Sequence, residues 1–379
     1  MIFLDNASTT KVHSFILDKI SKLNDDYYYN PSALYGAGVE SSKLLNRYKE
    51  QMKTALKADM FDNIIFTGSA SEANNLAIKG VIKKNNAKLL VSLGEHPSVY
   101  NVAHDLVSQG FNVEFVKLNK SGVVDFDDFK SKMDKNTAFV SIMHVSNETG
   151  AINDIKKLVE YAKSVNPNVI FHSDGVQAFG KIKVNIKALK VDMYTISAHK
   201  INGMKGVGAL YVKNGINLKP IIIGGGQEGG IRSGTENLIG IMTLVEAATY
   251  AVEHQKEHFD KILSLKNKFI DELNDLNVKY SLHSFDDNSP YIVAISFDGV
   301  RAETLLHKLD EKGVLIGNGS ACSSKKSGNR ILLNMGVEQK EIESSVRISF
   351  GVYNTENDVI ECAKLIKLCT DDYIEKVRL

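Results

Sequence analysis

The sequence predicts an α/β protein: a large unit with a mostly parallel sheet and helices on both faces, plus a smaller α+β unit. Three observations carry that prediction. From about residue 60 to 215, apolar runs of strand length alternate with helix-period segments, the pattern of a βα series. A long helical stretch over about 237–275 then leads to a shorter mixture of strands and helices, with no repeat or low-complexity linker between them. Polar residues gather where the strands end, and sheets of this kind collect ligands at their C-terminal strand ends.

Taken in order, NIIFTGS (63–69) is the first strand of the series and is followed by a helical stretch through Lys84. KLLVSL (88–93) leads to a helix starting near Pro97, and NVEFVKL (112–118) and TAFVSIMHV (137–145) are the next strands. A helix from Asp154 precedes VIFHSD (169–174), MYTIS (193–197) and GALYVK (208–213). The second unit contains YIVAISFDG (291–299), a helix over 301–312, VLIGN (314–318), VRISFG (346–351) and a C-terminal helix. The expected division is a large domain over 13–250 and a small domain formed by 1–12 and 251–379, since 379 residues exceed one small core.

Composition narrows the function classes. Hydrophobic residues make 43% and charged residues 24% of the chain, as in soluble globular proteins. The formal net charge of +1, with lysines interspersed among acids, points neither to direct nucleic-acid binding nor to an anionic membrane surface. No apolar run approaches the ~20 residues that span a bilayer. MIFLDNASTT meets an acid at its fifth residue and lacks a basic start, so no signal peptide is expected. Three cysteines are a sparse, odd set, which favours a reducing cytoplasmic setting over a disulfide framework. Cys362 and Cys369, one heptad apart in ENDVIECAKLIKLCT, are expected in the core. Cys322 differs: VLIGNGSACSSKKSGN (314–329) surrounds it with loop formers, and Lys325 and Lys326 favour its thiolate, so it reads as a reactive thiol on a loop.

The chemistry concentrates in short motifs. VIFHSDGVQ (169–177) delivers Asp174 at a strand end, and VDMYTISAHK (191–200) delivers Lys200 at the next. A carboxylate for a ring nitrogen and a lysine for Schiff-base chemistry are what a pyridoxal phosphate enzyme needs. TGSASEANN (67–75), between strand and helix, offers N–H groups and hydroxyls to an anion, although a plain serine cap explains the serines equally. His96 in GEHPSV is a helix cap or a flat ring for a cofactor, and SNETG (146–150) supplies Asn147 and Glu148 at another strand end. In IIGGGQEGGIRSGTEN (222–237), Arg232, Ser233 and Thr235 before a helix suggest anion contact, and Arg347 in SSVRISFG has the fork geometry that suits a carboxylate.

Eight motifs, from LDNASTT (4–10) through FTGSASEANNLAIKG, SIMHVSNETG, HSDGVQ, SAHK, GGGQEGGIRSGTEN and GNGSACSS to SSVRISFG, resemble in order those of the NifS/IscS-type cysteine desulfurases. These are class V aminotransferase relatives with the fold-type I pyridoxal phosphate architecture. The resemblance implies that Lys200 carries pyridoxal 5'-phosphate and moves the substrate Cα proton, Asp174 holds the pyridinium nitrogen, and His96 stacks on the ring. It assigns Gln177 to the ring hydroxyl and Ala70, Ser71, Ser197 and His199 to the phosphate. Thr235 would reach the phosphate in a partner subunit, which makes a homodimer. Asn147 and Arg347 would orient the carboxylate of L-cysteine. Cys322 would accept its sulfur as a persulfide, leaving L-alanine, for an acceptor protein of iron–sulfur cluster assembly or of tRNA or cofactor thiolation. Two departures concern the entrance and dimer loops: Tyr35 stands where the family commonly has histidine, and Gly229 where it has a basic residue. A selenocysteine lyase or a transaminase would share the fold, but a transaminase has no use for Cys322. A purely structural subunit has no need of Lys200, Asp174, His96 and Cys322 together.

Overall fold

The computed structural model of the chain describes residues 1–82, 87–318 and 329–378, with side chains as far as Asp372. β1 (Ile2–Leu4), α1 (Ser14–Asp26) and α2 (Gly36–Leu56) come first. The βα series is β2 (Asn63–Thr67), α3 (Ala70–Val81), β3 (Lys88–Ser92), α4 (Pro97–Ser108), β4 (Val113–Val116), α5 (Phe126–Lys132), β5 (Thr137–Ser141), α6 (Ile155–Val165), β6 (Ile170–Asp174), α7 (Ile186–Leu189), β7 (Met193–Ser197) and β8 (Gly208–Val212). Two long helices follow, α8 (Leu238–Glu253) and α9 (Gln255–Asp275). The remainder is β9 (Tyr280–Leu282), β10 (Ile292–Phe297), α10 (Ala302–Glu311), β11 (Val314–Ile316), α11 (Arg330–Asn334), α12 (Gln339–Glu343), β12 (Ser345–Ser349) and α13 (Glu356–Arg378).

Each strand expected between residues 63 and 213 forms, and together they make one seven-stranded sheet in the order β2-β8-β7-β6-β5-β3-β4. Strands β4, β3, β5, β6 and β7 pair in parallel. β8 runs antiparallel to both β7 and β2. Only residues 198–207 join β7 to β8, too few for a parallel crossover with its helix. β2 is therefore aligned with the parallel strands, and its C-terminal end opens on the same edge.

Both faces of the sheet are buried, which is why its strands read as unbroken apolar runs. Ile64 and Phe66 enter one core with Leu90 and Val140, while Ile65 enters the other with Leu89, Val91 and Phe139. A third core draws on Leu4, Ala7 and residues 262–369, including β10, β12 and α13. Cys362 and Cys369 lie inside it, as expected, and burial raises both thiols above their ordinary range. β1 pairs in parallel with β11, so the N-terminal residues join the C-terminal ones. The chain returns to the large sheet before β12: Ile331, Leu332, Met335 and Ile342 pack in the first core.

The expected helical stretch over 237–275 is broken at His254. Its ring stacks on Tyr250 with centroids 4.1 Å apart, and its Nδ1 bonds the Tyr250 carbonyl at 2.9 Å. The His254 N–H keeps its helical bond to the same carbonyl at 3.0 Å, and the residue, with φ −99° and ψ 10°, is the cap shared by α8 and α9. Among the described residues, no helix is long and apolar enough to cross a membrane.

Candidate active site

A cleft of about 290 Å³ opens where β2, β3, β6 and β7 end, closed from above by the N-terminal segment and β12. It is lined by Ala70, Ser71, His96, Asn147, Asp174, Gln177, Ser197, His199, Lys200 and Arg347, ten residues that the sequence singles out. Lys200 ends the short turn after β7, and its Nζ donates to the Ala7 and Ser8 carbonyls at 2.6 Å each. Burial brings its ammonium down to about 8, helped by the charge of Arg347 and opposed by Asp5, Asp174 and Glu148.

Asp174 is the last residue of β6 and is buried. Its Oδ1 accepts from the Val176 N–H at 3.0 Å and its Oδ2 from Asn74 Nδ2 at 2.8 Å. A Cβ on Gly175 would fall 2.0 Å from the Tyr194 ring, so glycine is what lets the chain leave β6 directly after the carboxylate. Gln177 donates from Nε2 to the Ala7 carbonyl at 2.9 Å, and its Oε1 accepts from Lys181 Nζ at 2.6 Å.

His96 caps α4, with Nδ1 accepting from the Ser98 N–H at 3.1 Å. The proton of the neutral ring therefore sits on Nε2. Burial lowers the His96 pKa; Asp174 opposes this, and Lys200, Arg330 and Arg347 reinforce it. Ser98 Oγ also meets Nδ1 at 2.8 Å and accepts from Asn74 Nδ2 at 2.8 Å. One amide thus supports both Asp174 and the histidine.

At the anion end, Ser69 caps α3 by accepting from the Glu72 N–H at 3.2 Å, while Glu72 Oε2 accepts from the Gly68 N–H at 2.8 Å. The N–H groups that open a helix have no intrahelical partner and favour negative charge. Ala70 and Ser71 open α3, and Ser197 and His199 lie in the same cleft. Burial, helped by Lys200, Lys205 and Lys181, holds the His199 pKa near 4, so its ring is neutral at pH 7. Gly208 keeps this end open: a Cβ there would sit 2.7 Å from the Ser69 carbonyl carbon and 2.8 Å from the Ala70 nitrogen.

Arg347 is held on three sides. Its Nη2 donates to Asp5 Oδ1 at 2.9 Å, and Nη1 donates to the Asn147 carbonyl at 3.0 Å and Glu148 Oε1 at 3.4 Å. Buried Arg347 Nε, Asn147 Oδ1 and Asn74 Oδ1 have no protein partner. Two acceptors and one donor left unpaired beside a buried acid, a lysine and an anion cradle fit a polar, phosphorylated ring and an amino acid carboxylate.

Thr235 does not line the cleft; it is exposed in the glycine-rich loop. Arg232 of that loop forms an ion pair with Glu72 at 2.8 Å. Gly229 has φ 65°, a left-handed conformation that glycine favours, which accounts for glycine at this position. Tyr35 caps α2, half exposed, with its ring edge-on to Tyr29. Cys322, Lys325 and Lys326 lie outside the described residues. The flanks of that segment meet the cleft: Gly317 exchanges two backbone hydrogen bonds with Arg347, and Asn329 Nδ2 donates to Glu148 Oε2 at 3.3 Å. Asn74, Ser98 and the Ala7 and Ser8 carbonyls were not singled out by sequence. Asn74 lies one helical turn past Ala70 and Ser71, a spacing that would have placed it on the same face.

Fold and cleft together define a member of the aminotransferase class-V group, whose family profile matches residues 2–361. The cysteine desulfurase IscS of Clostridium botulinum is 35% identical over 365 residues, covering 94% of this chain and 91% of that protein. Among solved structures, a NifS-like protein superposes with a TM-score of 0.92 at 30% identity, covering 98% of this chain and 99% of the other. SspA in complex with cysteine gives a TM-score of 0.78 at 29% identity, covering 94% and 100%. The chain belongs to this family, among its NifS/IscS-type cysteine desulfurases. Members of the family are pyridoxal phosphate enzymes.

Proposed function

We propose that this protein is a pyridoxal-phosphate-dependent cysteine desulfurase that converts L-cysteine to L-alanine and takes the sulfur onto Cys322. The observation that carries the reading is the convergence of Lys200, Asp174 and His96 on one cleft with Arg347 and Asn147. When bound, the cofactor supplies an electron sink for the negative charge that develops at the substrate Cα. Ala70, Ser71, Ser197 and His199 would hold its phosphate, Asp174 its ring nitrogen, Gln177 its ring hydroxyl and His96 its face.

The chain's own groups divide the remaining work. Lys200 Nζ, brought toward neutrality by burial, moves the proton at the substrate Cα. Arg347, with Nε free and its other nitrogens fixed by Asp5 and Glu148, would orient the substrate carboxylate, with Asn147 beside it, its Nδ2 donating to Glu148 Oε1 at 2.7 Å. Neutral His96, with its proton on Nε2, is set to donate a hydrogen bond into the cleft. The Cys322 thiolate attacks the substrate sulfur: an S–S bond forms, the C–S bond breaks, and one proton completes the methyl group of alanine.

The same reading makes the working unit a homodimer, with Thr235 of one subunit serving the cofactor phosphate of the other. The first two cores support a large domain over 13–250 and the third a small domain of 1–12 and 251–379 that carries Cys322, although Ile331, Leu332, Met335 and Ile342 of the latter pack in the first core. The persulfide would then pass to an acceptor protein. The test is alanine and sulfide formation from L-cysteine under reductant by cofactor-loaded protein, beside Cys322→Ala. Turnover in the native protein that is lost in the variant supports the proposal; equal turnover in both removes Cys322 from the reaction.

A further inference from the structure

Lys181 is buried, 7% exposed, at the end of the turn that carries Gln177. Its Nζ donates to Gln177 Oε1 at 2.6 Å and stands 5.7 Å from the centre of the Tyr291 ring. The charged groups that act on it, Lys200 and Arg347, are both positive, and burial brings its ammonium down to about 7. His13 and His258 border the same small cavity as Lys181, about 20 Å³ in volume, beside Lys200. A lysine placed against two cations in the interior is poorly suited to filling space, which methionine would do without the charge.

What the position supplies is direction. As an ammonium, lysine only donates, so the oxygen of the Gln177 amide must face it; a neutral amine can also accept, and in that form only the Ala7 carbonyl fixes the amide. Gln177 Nε2 is thereby turned the other way, with one N–H on the Ala7 carbonyl at 2.9 Å and the second left for the cleft that Gln177 lines. We infer that Lys181 is a positioning residue that locks the Gln177 amide as a donor into the cleft, so that the site selects a ring bearing an oxygen acceptor at that point. This rests on the reading that the cleft holds pyridoxal phosphate with Gln177 at its ring hydroxyl.

The test is equilibrium binding to the cofactor-free chain of pyridoxal phosphate and of its 3-deoxy analogue, in which hydrogen replaces the ring hydroxyl. The native chain is expected to prefer pyridoxal phosphate by roughly tenfold or more, as for a hydrogen bond to a charged oxygen. Lys181→Met, which keeps the side-chain volume and is expected to melt no lower than the native chain, brings that preference close to unity while analogue affinity changes less than about twofold. Lys181→Arg, which keeps a donor, retains the preference. A Lys181→Met chain with the native preference, or one weakened equally toward both ligands, overturns the inference. A native chain that binds both ligands alike also overturns it, through the Gln177 contact. A native chain that binds neither overturns the cofactor reading itself.

Discussion

Asn74 commits one amide nitrogen to two partners, Asp174 Oδ2 and Ser98 Oγ, each at 2.8 Å, and through Ser98 it reaches His96 Nδ1. Asn74→Ala leaves a buried carboxylate oxygen without its donor, a loss of about 1–3 kcal/mol. Cofactor affinity is expected to fall about tenfold or more, read by dialysis against pyridoxal phosphate. Titration gives a second residue-scale prediction. Lys181 and Lys200 titrate near 7 and 8 when folded, below their ordinary value of 10.5. Between those values the unfolded chain binds more protons than the native one, so these two groups make stability rise as pH rises. In calorimetry of the cofactor-free chain, Lys181→Met should show a shallower rise than the native protein from pH 7 upward. Asp174 and Lys200 were legible because an acid and a lysine at successive strand ends have few structural uses. Asn74 and Lys181 were not, because each acts through a residue that the fold, not the sequence, brings beside it.

The sheet was legible because strands buried on both faces read as continuous apolar runs, and their lengths separate them from helices. Strand direction was less so, although the short connection over 198–207 already requires β8 to run antiparallel to β7. The break at His254 is a single residue with φ −99° and ψ 10° between two helices, which helical periodicity does not register. α1 carries an apolar stripe, Ile16, Ile20 and Leu23 at i, i+4 and i+7, which packs against the first core. Gly208 ties β8 to the start of α3, and the atoms a Cβ would meet there are backbone atoms that cannot rotate away. Gly208→Ala is therefore expected to lower stability by about 1–3 kcal/mol through overpacking and to weaken cofactor binding. Both effects are measurable on one sample by melting with and without pyridoxal phosphate: the ligand-induced rise in Tm should shrink.

At the scale of the whole molecule, Thr235 is exposed and outside the cleft, and the glycine-rich loop presents Ile223, 85% exposed, to solvent. Leu34, 97% exposed, stands beside Tyr35 and the stacked pair Tyr28 and Tyr29. Sedimentation of the holoenzyme is expected to give twice the mass of the chain, and Leu34→Lys to shift the balance toward single chains. Near-complete motif order made the family legible, while the neighbours of Cys322 cannot be read from a segment that bears no apolar pattern. Three cysteines also provide an internal control, since Cys362 and Cys369 are shut in the third core. The decisive measurement is mass spectrometry of peptides from cofactor-loaded protein after a single turnover with L-cysteine, without reductant. One added sulfur on the Cys322 peptide, none on those of Cys362 and Cys369, and one alanine per sulfur are expected. Alanine released with no sulfur on Cys322 would contradict the proposed chemistry.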